Sequence, residues 1–169
     1  MARQAPIVLL AMALGLSACS REASDWRPVL VDELKGSPNY EHRLGPAGDY
    51  LSATGDFNGD GIGDRVALMR DDVAGLVEFM AVMGQTQDVY PVGRVQVKDI
   101  PHWGVVRVPP GVHSLACPRV DGVPVPCEAP TVTVEKDAIN VFAFNSTGRY
   151  MYFLNDGFHD LGRSERPTP

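Results

Sequence analysis

Short runs of β-branched and aromatic residues fill most of the chain, and clusters of Gly, Pro, Asn and Asp separate them. Apolar runs of this length, bounded by turn residues, are typical of β-strands. They predict strands near Val29–Val31, Tyr50–Thr54, Arg65–Arg70, Gly75–Met83, Arg94–Lys98, Gly104–Val108, Thr131–Glu135, Ala138–Asn145 and Arg149–Leu154.

Two of these runs alternate between apolar and polar residues. Val95 and Val97 stand between polar neighbours, and so do Val132 and Val134. Because successive side chains of a strand point to opposite faces, this alternation predicts strands with one face on the core and one in water.

The runs Ala138–Asn145 and Arg149–Leu154 differ, since nearly every position in them is apolar. A short segment ending in Gly148 joins them. Continuous apolar runs on both sides of a glycine-containing loop predict a hairpin that is covered on both faces, either in the core or against a partner.

These patterns together predict an all-β fold, built as a compact antiparallel sheet, a sandwich or a partial-propeller-like domain. Pro28 weakens the helix that residues 25–35 could otherwise form. We expect the β domain to cover residues 25–162, and the polar residues 163–169 to form a flexible tail.

The N-terminal residues read as a targeting signal. Arg3 precedes the apolar run Ile7–Leu16, and small residues lead to Cys19. A basic start, a short apolar stretch and small residues before a cleavage point are the marks of a secretory signal peptide. The apolar run is too short to span a bilayer. We therefore assign residues 1–18 to a signal peptide and residues 19–24 to a tether.

The last four residues of this region, Leu16-Ser17-Ala18-Cys19, resemble the lipobox of bacterial lipoproteins. The resemblance implies cleavage before Cys19, a diacylglyceryl group on its thiol, and acylation of the new amine, with palmitate as a typical chain. An aspartate directly after the lipidated cysteine would resemble an inner-membrane retention signal. This chain has Ser20 at that position, which favours the outer membrane. The alternative is a plain secretory signal in which Cys19 is incidental.

The remaining cysteines, Cys117 and Cys127, are an even pair in a chain predicted to reach an oxidising compartment. Their spacing is too long for a C-x-x-C redox motif or for the tight pairs of a zinc site. The spacing predicts a structural disulfide across a proline-rich loop. A metal pair and a redox-active pair are the alternatives.

One short segment, Asp56–Asp64, carries the sharpest chemical motif. Oxygen-bearing side chains occupy positions 1, 3, 5 and 9 of this segment, which are Asp56, Asn58, Asp60 and Asp64. Calcium takes six to eight oxygen ligands, and alternate residues of a tight loop can direct oxygens inward. Ile62 would add its backbone carbonyl, and Gly61 would allow a sharp turn. The alternative is a metal-free turn rich in Asn-Gly and Asp-Gly pairs.

Gly55–Gly61, followed by Asp64 and an apolar strand, resembles the FG-GAP or VCBS-type calcium loop of extracellular β proteins. In that family the loop joins two strands, and the aspartate at position 9 completes the calcium shell, which implies one structural calcium ion here. An EF-hand is excluded because position 12 is Ala67 and both flanks are predicted strands. Only one copy of the motif occurs, whereas a propeller requires several blades.

Charge and motifs narrow the function. The chain has 21 acidic and 15 basic residues, a net charge of −6, and no cluster of Lys and Arg. Nucleic acid is therefore a poor partner. No catalytic sequence motif is present and the four histidines are isolated, so we expect no enzyme.

The sequence thus predicts a lipid-anchored, calcium-stabilised β module of the bacterial envelope. It would act by binding, with the membrane as one partner through the anchor and an envelope protein or glycan as the other. Two alternatives remain open at this point. One is a periplasmic inhibitor or immunity protein that neutralises a basic cell-wall hydrolase, and the other is a small envelope hydrolase.

Overall fold

The computed structural model describes residues 25–46, 48–117, 119–120, 123–125 and 131–164. Two 3-10 helices, Val31–Leu34 and Val97–His102, and one short α-helix, α1 (Tyr40–Arg43), accompany the strands. The strands are β1 (Trp26–Pro28), β2 (Ser52–Gly55), β3 (Asp64–Asp71), β4 (Leu76–Val82), β5 (Val89–Val95), β6 (Trp103–Val108), β7 (Gly111–Ser114), β8 (Arg119–Val120), β9 (Val123–Pro124), β10 (Thr131–Val134), β11 (Ala138–Ala143), β12 (Gly148–Leu154) and β13 (Gly157–Ser164).

The prediction of an all-β fold built from antiparallel sheets is confirmed. The first sheet has the order β1-β3-β4-β5, and β2 also pairs with β3. β1 pairs with the end of β3 at Asp71, whereas β2 pairs with its beginning at Asp64. The second sheet has the order β13-β12-β11-β6, and two ribbons, β7–β10 and β8–β9, complete the fold. In the part of the chain that the structure describes, no helix has the length and apolarity needed to cross a membrane.

One buried cluster joins the two sheets. From the first sheet it contains Leu68 and Phe79, which are fully buried, and from the second it contains Ile139 and Phe153. The side chains alternate as a pleated strand requires, so that one face of β3 and β4 meets the second sheet. Burying a large apolar side chain stabilises the fold by about 1.5–3 kcal/mol.

The hairpin of β11 and β12 is covered on both faces, as the sequence predicts. Ile139 and Val141 of β11 belong to the cluster between the sheets. Ala138, on the opposite face, packs in a second cluster with Val134 of β10. The β7–β10 ribbon therefore covers the side of the second sheet that faces away from the first.

The first predicted strand was wrong in its position. Val29–Val31 is not a strand, because β1 ends at Pro28 and a 3-10 helix begins at Val31. The side chain of Glu33 accepts a hydrogen bond from the backbone N–H of Leu30 at 2.9 Å, which caps the helix. This local bond turns the chain away from the sheet at the point where the valines predicted a strand.

The predicted strand Arg94–Lys98 was also wrong in its position, since only Arg94 and Val95 belong to a strand. β5 covers Val89–Val95, and a 3-10 helix occupies Val97–His102. Pro91 lies inside β5 beside a register shift between Phe79 and Met80. Because proline lacks a backbone N–H, a strand tolerates it at an irregular site of this kind.

The end of the domain lies beyond the predicted boundary. β13 reaches Ser164, although the sequence predicted a flexible tail from Arg163. The Ser164 hydroxyl donates to Asn140 Oδ1 at 2.9 Å and accepts from the Gly148 backbone N–H at 3.1 Å. These buried bonds fix a segment whose own composition is polar. Residues 165–169 lie outside the described residues.

Arg43 is buried at the end of α1, with a relative exposure of 2%. Its two terminal nitrogens donate to four backbone carbonyls, those of Asp49, Ile100, Pro101 and Trp103. The guanidinium also lies 5.0 Å from the ring centroid of Phe144. Burial lowers the pKa of Arg43 to about 10, which keeps the side chain charged at neutral pH. Arg43 thus fastens α1 to the segment that enters β6.

Candidate metal loop

The acidic loop, Asp56–Asp64, connects two neighbouring strands of the first sheet. β2 ends at Gly55 and β3 begins at Asp64, and these two residues pair in the antiparallel register. The loop therefore closes a hairpin between two neighbouring strands. Gly59 and Gly61 have φ values of 82° and 84°, which lie in the left-handed region that glycine enters without strain.

Asp56 organises the first half of the loop. Its Oδ1 atom accepts hydrogen bonds from the backbone N–H groups of Gly59 and Asp60 at 2.8 and 3.0 Å. Its Oδ2 atom accepts one from Gly61 at 2.9 Å. A single carboxylate at position 1 thus collects three successive N–H groups, which is the local chemistry that favours aspartate in turns.

Asn58 and Asp60 lie close together on the solvent side. The Asn58 amide donates to Asp60 Oδ2 at 2.8 Å, and Asp60 Oδ1 accepts from the Ile62 N–H at 2.7 Å. Asp60 and Ile62 are exposed. Three predicted ligands, Asp56, Asn58 and Asp60, are therefore brought together, and we call them the oxygen rim.

Asp64 takes a different place, behind the rim, with a relative exposure of 2%. Its Oδ2 atom accepts from the N–H groups of Phe57 and Asn58 at 2.7 and 3.2 Å. Its Oδ1 atom accepts from the N–H of Gly84 at 2.8 Å, which ties the loop to the end of β4. The carboxylate at position 9 therefore satisfies three backbone donors inside the protein.

Phe57 anchors the loop from below. Its side chain is fully buried, and its ring contacts that of Phe158 edge to face, with centroids 6.1 Å apart. Phenylalanine at position 2 of the loop is an apolar residue within a polar run, and this is the signal in the sequence that predicts such an anchor. It fixes the loop to the core between the sheets.

Two residues that the sequence analysis missed complete the site from the second sheet. Lys136 Nζ donates to the Asn58 carbonyl at 2.9 Å and lies over the Tyr152 ring. Asp137 Oδ2 accepts from the Asp56 N–H at 2.8 Å. Both residues stand in the connection between β10 and β11, where a charged pair between two apolar runs was their only mark in the sequence.

Asp137 is buried and pairs with an exposed arginine. Its Oδ1 atom lies 2.9 Å from Arg107 Nη2. The hydrogen bond from Arg107 to this carboxylate raises the pKa of Arg107 above its ordinary value. Asp137 thus connects β6 with the first residue of the acidic loop. It also leaves no room for a larger residue at Gly55, because an added Cβ there would lie 2.8 Å from Asp137 Oδ2.

The rim meets part of what a hard cation requires. The carboxylates of Asp56 and Asp60 and the amide of Asn58 lie on one short loop, and each carboxylate oxygen carries more than one acceptor site. Asp56 and Asp64 each accept three backbone N–H groups, and Asp64 differs in being buried, with a relative exposure of 2%. Among the described residues, no group of three or more His, Cys, Asp or Glu side chains is arranged to hold a metal ion. The fit therefore rests on the rim and the Ile62 carbonyl.

Two of the four histidines that the structure describes, His42 and His113, have separate surroundings. The His42 ring stacks on Phe144 with centroids 6.1 Å apart, and the His113 ring lies 5.8 Å from Tyr150. His113 Nε2 is 2.7 Å from the Pro109 carbonyl. Packing and backbone contacts account for both positions.

The cysteines are described only in part. Cys117 is disulfide-bonded. Its predicted partner Cys127 and the predicted lipid-bearing Cys19 lie outside the described residues. β8 and β9, which lie between the two cysteines in the sequence, pair in antiparallel register.

No protein-family model, curated protein or solved structure matches this chain.

Proposed function

We propose that this chain is a lipid-anchored, calcium-stabilised module of the bacterial envelope that acts by binding a partner. The observation that carries the proposal is the oxygen rim, held on a loop whose position is fixed by Asp64, Asp137 and Phe57. A rigid, exposed set of oxygens suits the binding of a cation and of a partner that contacts it.

The anchor is proposed on sequence grounds. Leu16-Ser17-Ala18-Cys19 matches the lipobox pattern, and the described domain begins a few residues later with β1. Several acyl chains in one leaflet hold a protein stably, because each buried methylene contributes about 0.8 kcal/mol. The module would then stay at the membrane surface of the envelope.

The cation is proposed to be calcium. Asp56 and Asp60 place two negative charges at the rim, and like charges held close together repel each other unless a cation lies between them. Among the described residues of the loop, the Lys136 ammonium donates to the Asn58 carbonyl and to neither rim carboxylate. With Asp56, Asn58, Asp60 and the Ile62 carbonyl as its protein ligands, a calcium ion would be completed by water.

Calcium is expected to raise the melting temperature of the protein above its value in EDTA. Extracellular calcium modules bind with dissociation constants of about 10⁻⁴–10⁻³ M. At calcium concentrations about 10 to 100 times the dissociation constant, binding adds about 1.4–2.7 kcal/mol, or about 3–11 °C. The measurement is a thermal melt followed by circular dichroism, with and without 10 mM calcium, a concentration of about ten times the weaker constant.

Asp60→Ala should remove this calcium response, because it takes a carboxylate from the rim. Asp88→Ala is the matched control, since Asp88 is also exposed but lies outside the acidic loop. Equal melting temperatures of the unaltered protein in calcium and in EDTA would contradict the calcium site.

Binding is tested with the full lipoprotein as bait in native envelope extract, in calcium and in EDTA. We expect one envelope protein or glycan to be retained in stoichiometric amount with calcium, and to be lost with EDTA or with Asp60→Ala. Asp88→Ala should retain it. A bait that retains nothing specific in either buffer would contradict a binding function and favour a small-molecule or catalytic role.

A further inference from the structure

The first sheet carries an apolar trough on the face that points away from the core. Trp26, Met69, Met80, Val82 and Val89 line this hollow of about 470 Å³. They occupy the strand positions that alternate with the core residues Leu68 and Phe79. The trough is open to solvent, since Val89 remains 56% exposed. Open apolar surfaces of this kind mark contact sites for a partner or a membrane.

Arg65 stands where the trough continues into a second hollow. This second hollow, of about 270 Å³, shares Arg65 and Pro28 with the trough and is also lined by Leu30 and by two carboxylates, Asp32 and Asp49. Among the described residues, no hydrogen bond or ion pair engages the Arg65 side chain. The trough itself therefore combines an apolar lining with one available guanidinium group, which matches the acyl chains and phosphate of a phospholipid, and the carboxylates lie in the second hollow.

The position of the trough in the chain limits what can cover it. Trp26 belongs to β1, the first described strand, and Cys19 precedes it by seven residues. An extended chain spans at most about 3.5 Å per residue, so that a lipid on Cys19 would hold Trp26 within about 25 Å of the membrane. Such a tether gives the bilayer a high effective concentration at this face.

We propose that the trough docks on the surface of the bilayer in which the Cys19 anchor is embedded, an inference that rests on the lipid anchoring proposed above. Trp26 and Met80 enter the boundary between headgroups and acyl chains, where tryptophan is favoured because it combines an apolar ring with a polar N–H. Arg65 binds lipid phosphate, and its aliphatic stem lies along the trough.

Docking through this face has a consequence for the whole domain. A tether alone leaves the domain free to rotate, whereas a second contact on the first sheet fixes its orientation. The second sheet, which packs on the opposite face of the first, is then directed away from the membrane. The anchor supplies the affinity, and the trough sets the orientation.

The test uses the lipoprotein purified with its own anchor and inserted into vesicles of phosphatidylethanolamine and phosphatidylglycerol that contain acyl-brominated lipids. Bromine quenches tryptophan fluorescence only at short range. We expect quenching of the unaltered protein and its loss in Trp26→Phe, which leaves Trp103 as the remaining tryptophan. Met80→Asp should also reduce quenching, since it places a charge in the trough.

Val112→Asp is the matched control, because Val112 is 69% exposed on β7, outside the trough. It should leave the quenching unchanged. Quenching that persists in Trp26→Phe, or that a folded Met80→Asp variant retains in full, would overturn the docking. A cross-link between the troughs of two copies, found together with an unquenched Trp26, would assign the face to a second copy. That result would also overturn the membrane docking.

The intact mass of the same preparation separates this inference from the proposed function. A lipid-modified Cys19 together with unquenched Trp26 leaves the anchor in place and contradicts only the docking. A chain without lipid contradicts both. If Met80→Asp does not fold, as judged by circular dichroism, Trp26→Phe still decides the outcome.

Discussion

Arg43→Ala is expected to lower the free energy of unfolding by about 3 kcal/mol. The substitution removes the Arg43 donor from the carbonyls of Asp49 and Trp103, and each buried acceptor without a partner destabilises by about 1–3 kcal/mol. The carbonyls of Ile100 and Pro101 keep other donors, the Trp103 N–H and the Asn39 amide. Part of this loss is offset because a buried charge is removed, as the lowered pKa of Arg43 indicates. Urea unfolding measures the change, and with a slope of about 2 kcal/mol/M the midpoint should fall by about 1.5 M.

Arg27→Ala is the control for this prediction. Arg27 is exposed and pairs with Glu33 and Asp72 on the surface, where solvent screens ion pairs. The urea midpoint of this variant should stay close to that of the unaltered protein. If the two arginine variants unfolded at the same urea concentration, the buried guanidinium could not be the link between α1 and β6.

Asp64→Ala is expected to lower the free energy of unfolding by about 3 kcal/mol in EDTA. Asp64 accepts hydrogen bonds from the N–H groups of Phe57, Asn58 and Gly84, and charge-assisted bonds of this kind contribute about 1.5–3 kcal/mol each before desolvation is subtracted. EDTA removes any contribution from a bound cation. The experiment therefore measures the hydrogen bonds alone.

Asp60→Ala provides the comparison within the same loop. Asp60 is exposed, so its removal should leave stability in EDTA nearly unchanged while it abolishes the response to calcium. The two aspartates would then have separate roles, with Asp64 holding the loop and Asp60 binding the cation. An Asp64→Ala variant as stable in EDTA as the unaltered protein would show that Asp64 acts only as a ligand.

The carboxylates of the acidic loop and of its support fall into an inward-facing and an outward-facing group. Asp64 and Asp137 accept backbone N–H groups from inside the protein, and the side chains of the oxygen rim face solvent. A loop fixed in this way loses little conformational entropy when it binds, and this preorganisation favours affinity. Arg43 has the corresponding role at the start of β6, where it fixes the connection from α1.

The hairpins were predictable because their signals are local. In β3–β4 and β11–β12 the apolar runs are long and their turns short, and the sheet pairs them directly. The acidic loop was equally visible, since aspartate, asparagine and glycine at fixed offsets suit a tight turn between strands. In each case the residues that determine the structure are close together in the sequence.

The edges of the sheets were harder to predict. β13 has the sequence GFHDLGRS, without the β-branched alternation of a strand, yet it pairs along β12 from Gly157 to Ser164. Backbone hydrogen bonds of a strand do not depend on side-chain type, and the neighbour β12 supplies them. At the first 3-10 helix, the local bond between the Leu30 N–H and Glu33 outweighs β propensity, and the second 3-10 helix contains Pro101.

The sequence by itself determined the all-β class, the hairpins and the place of the acidic loop, because periodicity and turn chemistry act over a few residues. Only the tertiary structure decided that Asp64 faces inward, that Lys136 and Asp137 support the loop, and that Arg43 is buried. These contacts join residues distant in the chain. The apolar trough likewise exists only once β1, β3, β4 and β5 lie side by side, since strand pairing brings their outward side chains onto one face.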